Sequence, residues 1–235
     1  MKHVLKQGFM AAWPICTGYI AIGLAFGVLA QQARISVAEI ALMSVCVFAG
    51  SSQFIAVSML SSGAGILAII TTTFMVNLRH LLMSSSLAIH LKGRRIMWLS
   101  AFAYGITDET FAVNLTKFQQ NTWNPSNALA VNFISNLCWI GSTILGGYAG
   151  QFIPPGAFGI DYALIAMFLC LLVFQLRGNI FVAVAIIAGV LSVCFSLLIP
   201  GNSYVILASV TAAFVGVFLI RIKNQSTDGL SAEET

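Results

Sequence analysis

The amino-acid sequence predicts an all-α integral membrane protein, a bundle of about seven transmembrane helices (six to eight allowed), some of them discontinuous. Of the 235 residues, 59% are hydrophobic and only 8% are charged, whereas a soluble domain carries about 25% charged residues. Four uncharged runs of 27 to 43 residues cover most of the chain, and none shows the period-2 alternation of a membrane β-barrel. These features exclude a soluble enzyme, a disordered protein and a nucleic-acid binder with a basic face.

The first three predicted spans cover residues 8–33, 37–60 and 66–91. The first contains Pro14, Gly18, Gly23 and Gly27, and it is too long for the apolar region of a cleaved signal peptide. The second is interrupted at its centre by the small and polar residues Ala49-Gly50-Ser51-Ser52-Gln53. The third carries Arg79 and His80 in its second half. The second span is therefore a candidate for a broken helix.

The later predicted segments cover residues 96–116, 127–150, 161–176, 180–198 and 203–220. The first of these is interrupted by Gly105, Thr107, Asp108 and Glu109. Residues 154–156, Pro-Pro-Gly, break the chain after the next one. We expect a single transmembrane domain over residues 1–222, followed by a short polar tail, residues 223–235, that is disordered.

The distribution of basic residues gives only a weak orientation. If eight segments all crossed, six Lys and Arg residues would lie on one side and four on the other, which is a small positive-inside bias. The weakness of this bias suggests that a broken segment does not cross fully. No internal repeat is evident, because the likeness between Val76-Asn77 and Val131-Asn132 is too short to indicate one.

The sequence lacks the elements of several catalytic and cofactor sites. There is no P-loop, H-E-x-x-H or G-x-S-x-G motif. An intramembrane aspartyl protease needs two aspartates on facing helices, and only Asp108 is internal. The five cysteines lie in apolar runs without C-x-x-C spacing, which is typical of buried small hydrophobic residues. We expect no disulfide, no metal site, no cofactor and no enzymatic activity, and an intramembrane hydrolase is disfavoured.

Four ionisable residues lie away from the span ends: Arg79, His80, Asp108 and Glu109. A charge at the centre of a membrane helix costs about 2.5–3.5 kcal/mol on insertion scales. Such residues pair with each other or line a solute pathway, and a pair between Arg79 and one of the two acids is expected. A purely structural salt bridge and an interfacial helix start, with Thr107 as its N-cap, are the alternatives.

The interruption at residues 49–53 has two interpretations. Unwound backbone at membrane depth is tolerated where it is buried in protein or lines a cavity. Small residues also permit a close helix crossing, and the same alternative applies to the glycine-containing first span. Asn77, Asn114, Asn132 and Asn136 are candidates for hydrogen bonds between helices.

Five short motifs occur in an order that resembles the AzlC family. They are Pro14-Ile15-Cys16-Thr17-Gly18-Tyr19-Ile20, Ala25-Phe26-Gly27, Phe48-Ala49-Gly50-Ser51-Ser52-Gln53-Phe54, Asn77-Leu78-Arg79-His80-Leu81-Leu82 and Thr107-Asp108-Glu109-Thr110-Phe111-Ala112. The likeness covers most of residues 8–116, and the C-terminal half matches only in length and hydropathy. Ala21 stands where many family members have a proline, which affects a local kink and not the likeness.

The resemblance implies the large subunit of a two-component branched-chain amino acid exporter. It implies export of valine, leucine, isoleucine and, as a further candidate, methionine, driven by the proton gradient. It also implies a multi-pass protein that lies in the lipid bilayer of the cytoplasmic (inner) membrane. Its expected partner is a small membrane subunit of the AzlD type, and no nucleic acid is expected to bind. The residues themselves leave open an importer, a transporter of another small solute, a structural or assembly subunit, and a homo-oligomer.

The residues and the resemblance together give a set of expected site residues. The substrate-binding candidates are Arg79, Asp108, Glu109, Gln53, Ser51, Ser52, Asn77 and Tyr19. Arg79 or a broken-helix N-terminus is expected to hold a carboxylate. Asp108, Glu109 and His80 are candidates for proton coupling. Phe26, Phe48 and Phe54 are candidates for an apolar wall.

Overall fold

The computed structural model describes residues 2–154, 156–176, 178–198, 207–208, 210–218 and 221. Every regular element within these ranges is helical, which confirms the predicted all-α class. The helices are α1 (Lys2–Gln32), α2 (Val37–Cys46), α3 (Gly50–Ser61), α4 (Ile66–Ala88), α5 (Ile96–Tyr104), α6 (Asp108–Gln119), α7 (Pro125–Gly150), α8 (Ala163–Gln175) and α9 (Asn179–Leu198). A short 3-10 helix, Ala157–Tyr162, precedes α8.

The chain divides into two compact units, Met1–Met167 and Phe168–Thr235. The first contains α1 to α7, and the second contains α9 and the helical residues 207–208, 210–218 and 221. In the second unit, Gly216 lies against the side chain of Val184. The predicted polar tail and much of the predicted last span lie outside the described residues. The expected single domain therefore stays a prediction.

Four of the described helices, α1, α4, α7 and α9, are long and apolar enough to cross a membrane. The predicted count of about seven spans is not confirmed. The second and fourth predicted segments are each divided into two short helices, α2–α3 and α5–α6. Helix α8 has 13 residues, so it is about 20 Å long at 1.5 Å per residue, shorter than the ~30 Å hydrocarbon core.

Helices α1 and α7 pack side by side and run in the same direction. Gly8 lies against Ala130 near their N-terminal ends, Gly27 against Gly147 further along, and Gly150 against Gln31 at their C-terminal ends. A Cβ atom at Gly27 would overlap the backbone of α7. Helix α1 is continuous through Pro14. Gly8, Gly23 and Gly27 therefore serve close helix packing, which is the alternative that the sequence left open.

Helices α2 and α3 form a hairpin at the C-terminal end of the α1–α7 pair. Helix α2 runs antiparallel to α7, with Ile40 against Gly147 and Ser44 bonded to Thr143 at 2.9 Å. The chain turns at residues 47–49, the first tip, and α3 returns along α2, so that Gln53 Nε2 donates to Ser44 Oγ at 3.2 Å. This first hairpin starts and ends at the same end of the pair.

Helices α5 and α6 form a second hairpin at the opposite end. Tyr104, the last residue of α5, bonds to Asn136 at 3.2 Å. The chain turns at residues 105–107, the second tip, and α6 returns along α7, where Asn114 bonds to Asn132 at 2.9 Å. Loops of seven and five residues join this hairpin to the end of α4 and the start of α7. The second hairpin therefore enters from the N-terminal end of the pair.

Helix α4 passes between the two hairpins. It starts four residues after the first hairpin, bonds through Asn77 to Ser52, and buries Leu87 in a cluster with Phe102 and Ala128. In the first compact unit, α1, α4 and α7 thus cross from end to end. The second and fourth predicted spans turn back because each is broken by three residues near its middle.

The arrangement of α1 to α6 is an inverted repeat. The first repeat is α1 followed by half-helices of 10 and 12 residues, and the second is α4 followed by half-helices of 9 and 12 residues. Since α1 and α4 run in opposite directions, the two hairpins enter from opposite sides. The repeat lies in the positions of the helix breaks and not in residue identity, which is why none is evident in the sequence.

With this topology, most basic residues of the first compact unit lie at one end. One end carries six basic residues: Lys2, Lys6, Lys92, Arg94, Arg95 and Lys117. The opposite end carries Arg34, Glu39 and Asp161. The positive-inside rule therefore predicts that the N-terminal end of the α1–α7 pair faces the cytoplasm. The weak bias in the sequence arose from counting both hairpins as crossings.

Candidate functional site

The two hairpin tips meet between the crossing helices. The hydroxyl of Tyr104 donates to the backbone carbonyl of Val45 at 2.5 Å. The rings of Phe48 and Tyr104 are 6.3 Å apart, and the ring of Tyr19 packs edge-on against Phe48 at 6.0 Å. Because α3 and α6 both begin here, two helix N-termini with partial positive charge lie near the middle of the molecule.

The start of α6 is capped as the sequence predicted. Thr107 is the N-cap, and its hydroxyl accepts from the Thr110 amide while the Thr110 side chain accepts from the Thr107 amide. Asp108 and Glu109 occupy the first turn. Two carboxylates at this position compensate the partial positive charge of the helix end.

Arg79 of α4 connects the starts of both half-helices. Its Nη1 lies 3.0 Å from Asp108 Oδ2, and its Nη2 donates to Ser51 Oγ at 2.5 Å. The predicted Arg79 pair is therefore present, with Asp108 as its partner. The Nε of Arg79 is buried and has no hydrogen-bond partner among the described residues. The Nε–H group of the guanidinium is thus left for another acceptor.

Glu109 is held by a helix of the other repeat. Tyr19 of α1 donates to Glu109 Oε2 at 2.8 Å, and the same hydroxyl lies 2.7 Å from Thr107 Oγ1. The Tyr19 side chain is buried. Its hydroxyl therefore links α1 to the tip of the second hairpin.

The start of α3 differs from the start of α6. Its N-cap residue Ala49 has no side-chain oxygen, and no capping hydrogen bond is formed there. Ser52 donates to Asn77 Oδ1 at 2.5 Å, and Ser51 accepts from Arg79. This helix end consequently offers uncompensated backbone N–H groups beside a guanidinium, which suits an anionic group.

Seven of the predicted site residues lie together in this cluster. They are Tyr19, Ser51, Ser52, Asn77, Arg79, Asp108 and Glu109. The side chains of Arg79 and Asp108 are 28% and 29% exposed. A charged pair with that exposure at membrane depth faces a water-filled cavity or other protein, since contact with lipid is costly.

Two predicted residues lie outside the cluster. Gln53 is fully buried, and its amide is used by Trp139, which donates at 2.9 Å, and by Ser44. His80 follows Arg79 in α4 and is half-buried, but its imidazole takes no part in the hydrogen bonds of the cluster. The role of each as a site residue stays a prediction.

The sequence predicted interhelical hydrogen bonds for Asn132 and Asn136 but missed Trp139 and Thr143, which complete the polar face of α7 that positions both hairpins. Asn132 accepts from Asn114 of α6 and donates to the carbonyl of Phe102 in α5. Trp139 donates a hydrogen bond to Gln53 of α3, and Thr143 donates one to Ser44 of α2. The spacing of Asn132, Asn136, Trp139 and Thr143 places them on one helix face, and this spacing was the available signal.

The fold and the cluster define an all-helical, multi-pass membrane protein with an internal polar site between two opposed half-helices. Comparison with known sequences specifies the class further, since the sequence model of the AzlC protein family matches residues 14–153. The chain belongs to the AzlC family. The predicted resemblance is thereby confirmed.

Three relatives illustrate the range of the family. An uncharacterised membrane protein of Archaeoglobus fulgidus is 33% identical over 83% of this chain and 86% of its own length. The inner membrane protein YgaZ of Escherichia coli is 28% identical over 80% of each chain. The branched-chain amino acid transport protein AzlC of Bacillus subtilis is 26% identical over 92% of this chain and 84% of its own length. No solved structure is significantly similar to the chain.

Proposed function

We propose that this chain is the large subunit of a branched-chain amino acid exporter of the cytoplasmic membrane. Its substrates are valine, leucine and isoleucine, with methionine as a further candidate, and the proton gradient drives their export. A small AzlD-type membrane protein is its partner. One observation carries the proposal: Arg79 and Asp108 hold opposite charges 3.0 Å apart between two helix N-termini inside the membrane region.

The ion pair has the charge arrangement that a zwitterionic amino acid needs. A substrate inserted between Arg79 and Asp108 replaces one ion pair by two. Its carboxylate accepts from Arg79 and from the backbone N–H groups at Gly50, the start of α3. Its ammonium donates to Asp108 and Glu109. The net charge of the site is unchanged by this exchange, which keeps the cost of burying the substrate low.

The aliphatic side chain of the substrate requires an apolar surface beside these charges. Among the predicted wall residues, Phe48 lies at the first tip and contacts Tyr19 and Tyr104. Phe26 and Phe54 pack against each other at 5.1 Å in the core. We therefore assign the wall to Phe48, and the packing behind it to Phe26 and Phe54.

Proton coupling is assigned to the acids of the cluster, with His80 as the further candidate. Glu109 is the first choice because Tyr19 gives it a hydrogen-bonded path towards α1. Asp108 exchanges its partner Arg79 for the substrate ammonium during transport. A carboxylate that loses its partner in a low-dielectric site takes up a proton more readily.

The proposal is tested by efflux of labelled valine from proteoliposomes that contain this chain and its small partner, with an imposed pH gradient. We expect Asp108→Asn and Glu109→Gln to lower the initial rate by at least about tenfold, the effect of losing one charged hydrogen bond. Glu39→Gln removes an exposed carboxylate at the start of α2 and serves as the matched control. Wild-type rates for both site variants would contradict the proposal.

The substrate class is tested with molecules that lack one of the two charges. We expect neither 3-methyl-2-oxobutanoate, which has no ammonium, nor isobutylamine, which has no carboxylate, to compete with valine. Competition by either compound at the concentration where leucine competes would show that one charge suffices. That outcome would contradict the assigned pairing.

A further inference from the structure

A groove of about 560 Å³ lies between α1, α5 and α7, apart from the charged cluster. Its lining is mostly apolar and includes the exposed side chains of Leu5 and Phe133. The small residues Ala101 and Ala130 also line it and leave the space that larger side chains would fill. The groove is therefore a concave apolar surface on the first compact unit.

The groove extends over one half of the membrane thickness. Ser126 lines it at the start of α7, and Asn136 lines it ten residues later. Ten residues of α-helix rise about 15 Å, half of the ~30 Å hydrocarbon core. The groove thus runs from the cytoplasmic headgroup level to the hairpin tips, a depth that matches one leaflet.

The size of the groove suits one small apolar ligand. Its volume lies within the range of about 300–1,000 Å³ that is typical of small-molecule pockets. The groove can therefore hold one hydrocarbon chain.

The mouth of the groove is electropositive. Helices α1, α5 and α7 all begin there, so three helix N-termini with partial positive charge converge at the mouth. Lys6 lies in the first turns of α1, Arg94 and Arg95 precede α5, and Arg95 is its N-cap residue. No Asp or Glu occurs in residues 2–8, 92–98 or 122–128. The mouth therefore complements an anionic headgroup.

We propose that this groove binds one acyl chain of an anionic phospholipid of the cytoplasmic leaflet, with the headgroup at Lys6 and Arg95. The end of the acyl chain contacts Tyr104, which lines the inner end of the groove. Tyr104 also donates to the carbonyl of Val45 in the other hairpin. A bound lipid consequently supports the contact between the two tips.

The test uses the full chain in detergent, equilibrated with equal amounts of phosphatidylglycerol and phosphatidylcholine and examined by native mass spectrometry. We expect one retained phosphatidylglycerol on the wild-type chain. Ala101→Phe fills the groove, and we expect this variant to retain no phosphatidylglycerol. Ala68→Phe places the same side chain on the exposed surface of α4, and we expect this control to retain the phosphatidylglycerol. Retention by Ala101→Phe equal to that of Ala68→Phe would overturn the proposal.

A second variant tests the headgroup without filling the groove. The double substitution Lys6→Gln and Arg95→Gln alters two exposed side chains, so it leaves the helix packing intact. We expect the preference for phosphatidylglycerol over phosphatidylcholine to fall by about fivefold per charge removed. An unchanged preference, equal retention of both lipids by the wild type, or a dimer mass in place of a lipid adduct would each overturn the proposal.

Discussion

Tyr19 and Glu109 join the two inverted repeats. The Tyr19 hydroxyl in α1 donates to the Glu109 carboxylate at the start of α6, over a distance of 2.8 Å. The reciprocal connection runs from Arg79 in α4 to Ser51 at the start of α3. Each repeat therefore uses its long helix to hold the hairpin tip of the other, and the charged cluster is the place where these two contacts lie side by side.

Removal of the Tyr19 hydroxyl tests the first of these contacts. Tyr19→Phe keeps the ring that packs on Phe48 and Trp139 but removes the donor to Glu109. We expect the initial transport rate to fall by about tenfold, the equivalent of one hydrogen bond to a charged group. Tyr148→Phe, at an exposed position of α7, is the control. Equal rates for the two variants would show that the Tyr19 hydroxyl is dispensable.

The Arg79–Asp108 pair is tested by breaking it and then removing both charges. Arg79→Met leaves the Asp108 carboxylate without its partner, and we expect the free energy of unfolding to fall by about 1–3 kcal/mol. Adding Asp108→Leu removes the unpaired charge, and we expect it to restore most of that stability. We expect neither the single nor the double variant to transport valine. Thermal unfolding in detergent and valine efflux measure the two effects. Efflux by the double variant would remove the pair from the proposed mechanism.

Gln53 distinguishes core packing from substrate binding. Gln53→Leu preserves much of the volume but leaves the Trp139 Nε1 donor and the Ser44 hydroxyl without their amide partner. We expect a loss of about 1–3 kcal/mol in the free energy of unfolding and an unchanged KM for valine in the protein that remains folded. A raised KM without loss of stability would instead place Gln53 at the substrate.

The contact between α1 and α7 predicts opposite outcomes at two glycines. A side chain at Gly27 overlaps the backbone of α7, whereas nothing lies within 4 Å of a Cβ at Gly18. We expect Gly27→Leu to lower the free energy of unfolding by about 1–3 kcal/mol or more. Gly18→Ala raises it by roughly 0.5–1 kcal/mol, the helix preference of Ala over Gly. Melting curves of the two purified variants decide, and a stable Gly27→Leu would contradict the close packing.

The hairpins are tested by labelling from outside intact cells, in a background without the five native cysteines. If residues 37–61 turn back, Ile35→Cys and Ser62→Cys lie on the same, external side, and both react with an impermeant maleimide. Lys92→Cys and Thr122→Cys flank the second hairpin and react only after permeabilisation. Labelling of Ile35→Cys and Ser62→Cys from opposite sides would show that the first hairpin crosses.

The sequence predicted the long helices well because their signal is local. The described bounds of α4 and α7 lie within about three residues of the predicted ones, the usual accuracy for helix ends. The helix start at Thr107 and the pairing of Arg79 were also predictable. A cap needs only its own residues, and an isolated charge in an apolar segment requires a partner.

The hairpins and the partners of the polar residues of α7 were not predictable by the same means. Hydropathy measures how apolar residues 37–60 and 96–116 are, but a segment that turns back is as apolar as one that crosses. The direction of the chain after a break is decided by distant contacts, such as those of Ser44 with Thr143 and of Asn114 with Asn132. The pairing of Gln53 with Trp139 could not be predicted, because the two residues are 86 positions apart in the sequence.

The close contact between α1 and α7 makes this pair the most rigid part of the first compact unit. Backbones that touch along their whole length have no free volume in which to slide or tilt, so this pair behaves as a rigid spine. Helix α4 has little side-chain surface locked in such contacts, and only a few hydrogen bonds hold the hairpin tips. Within the first compact unit, we therefore expect a rearrangement that opens the interior to one face and then to the other to move the hairpins and α4 and to leave α1 and α7 in place.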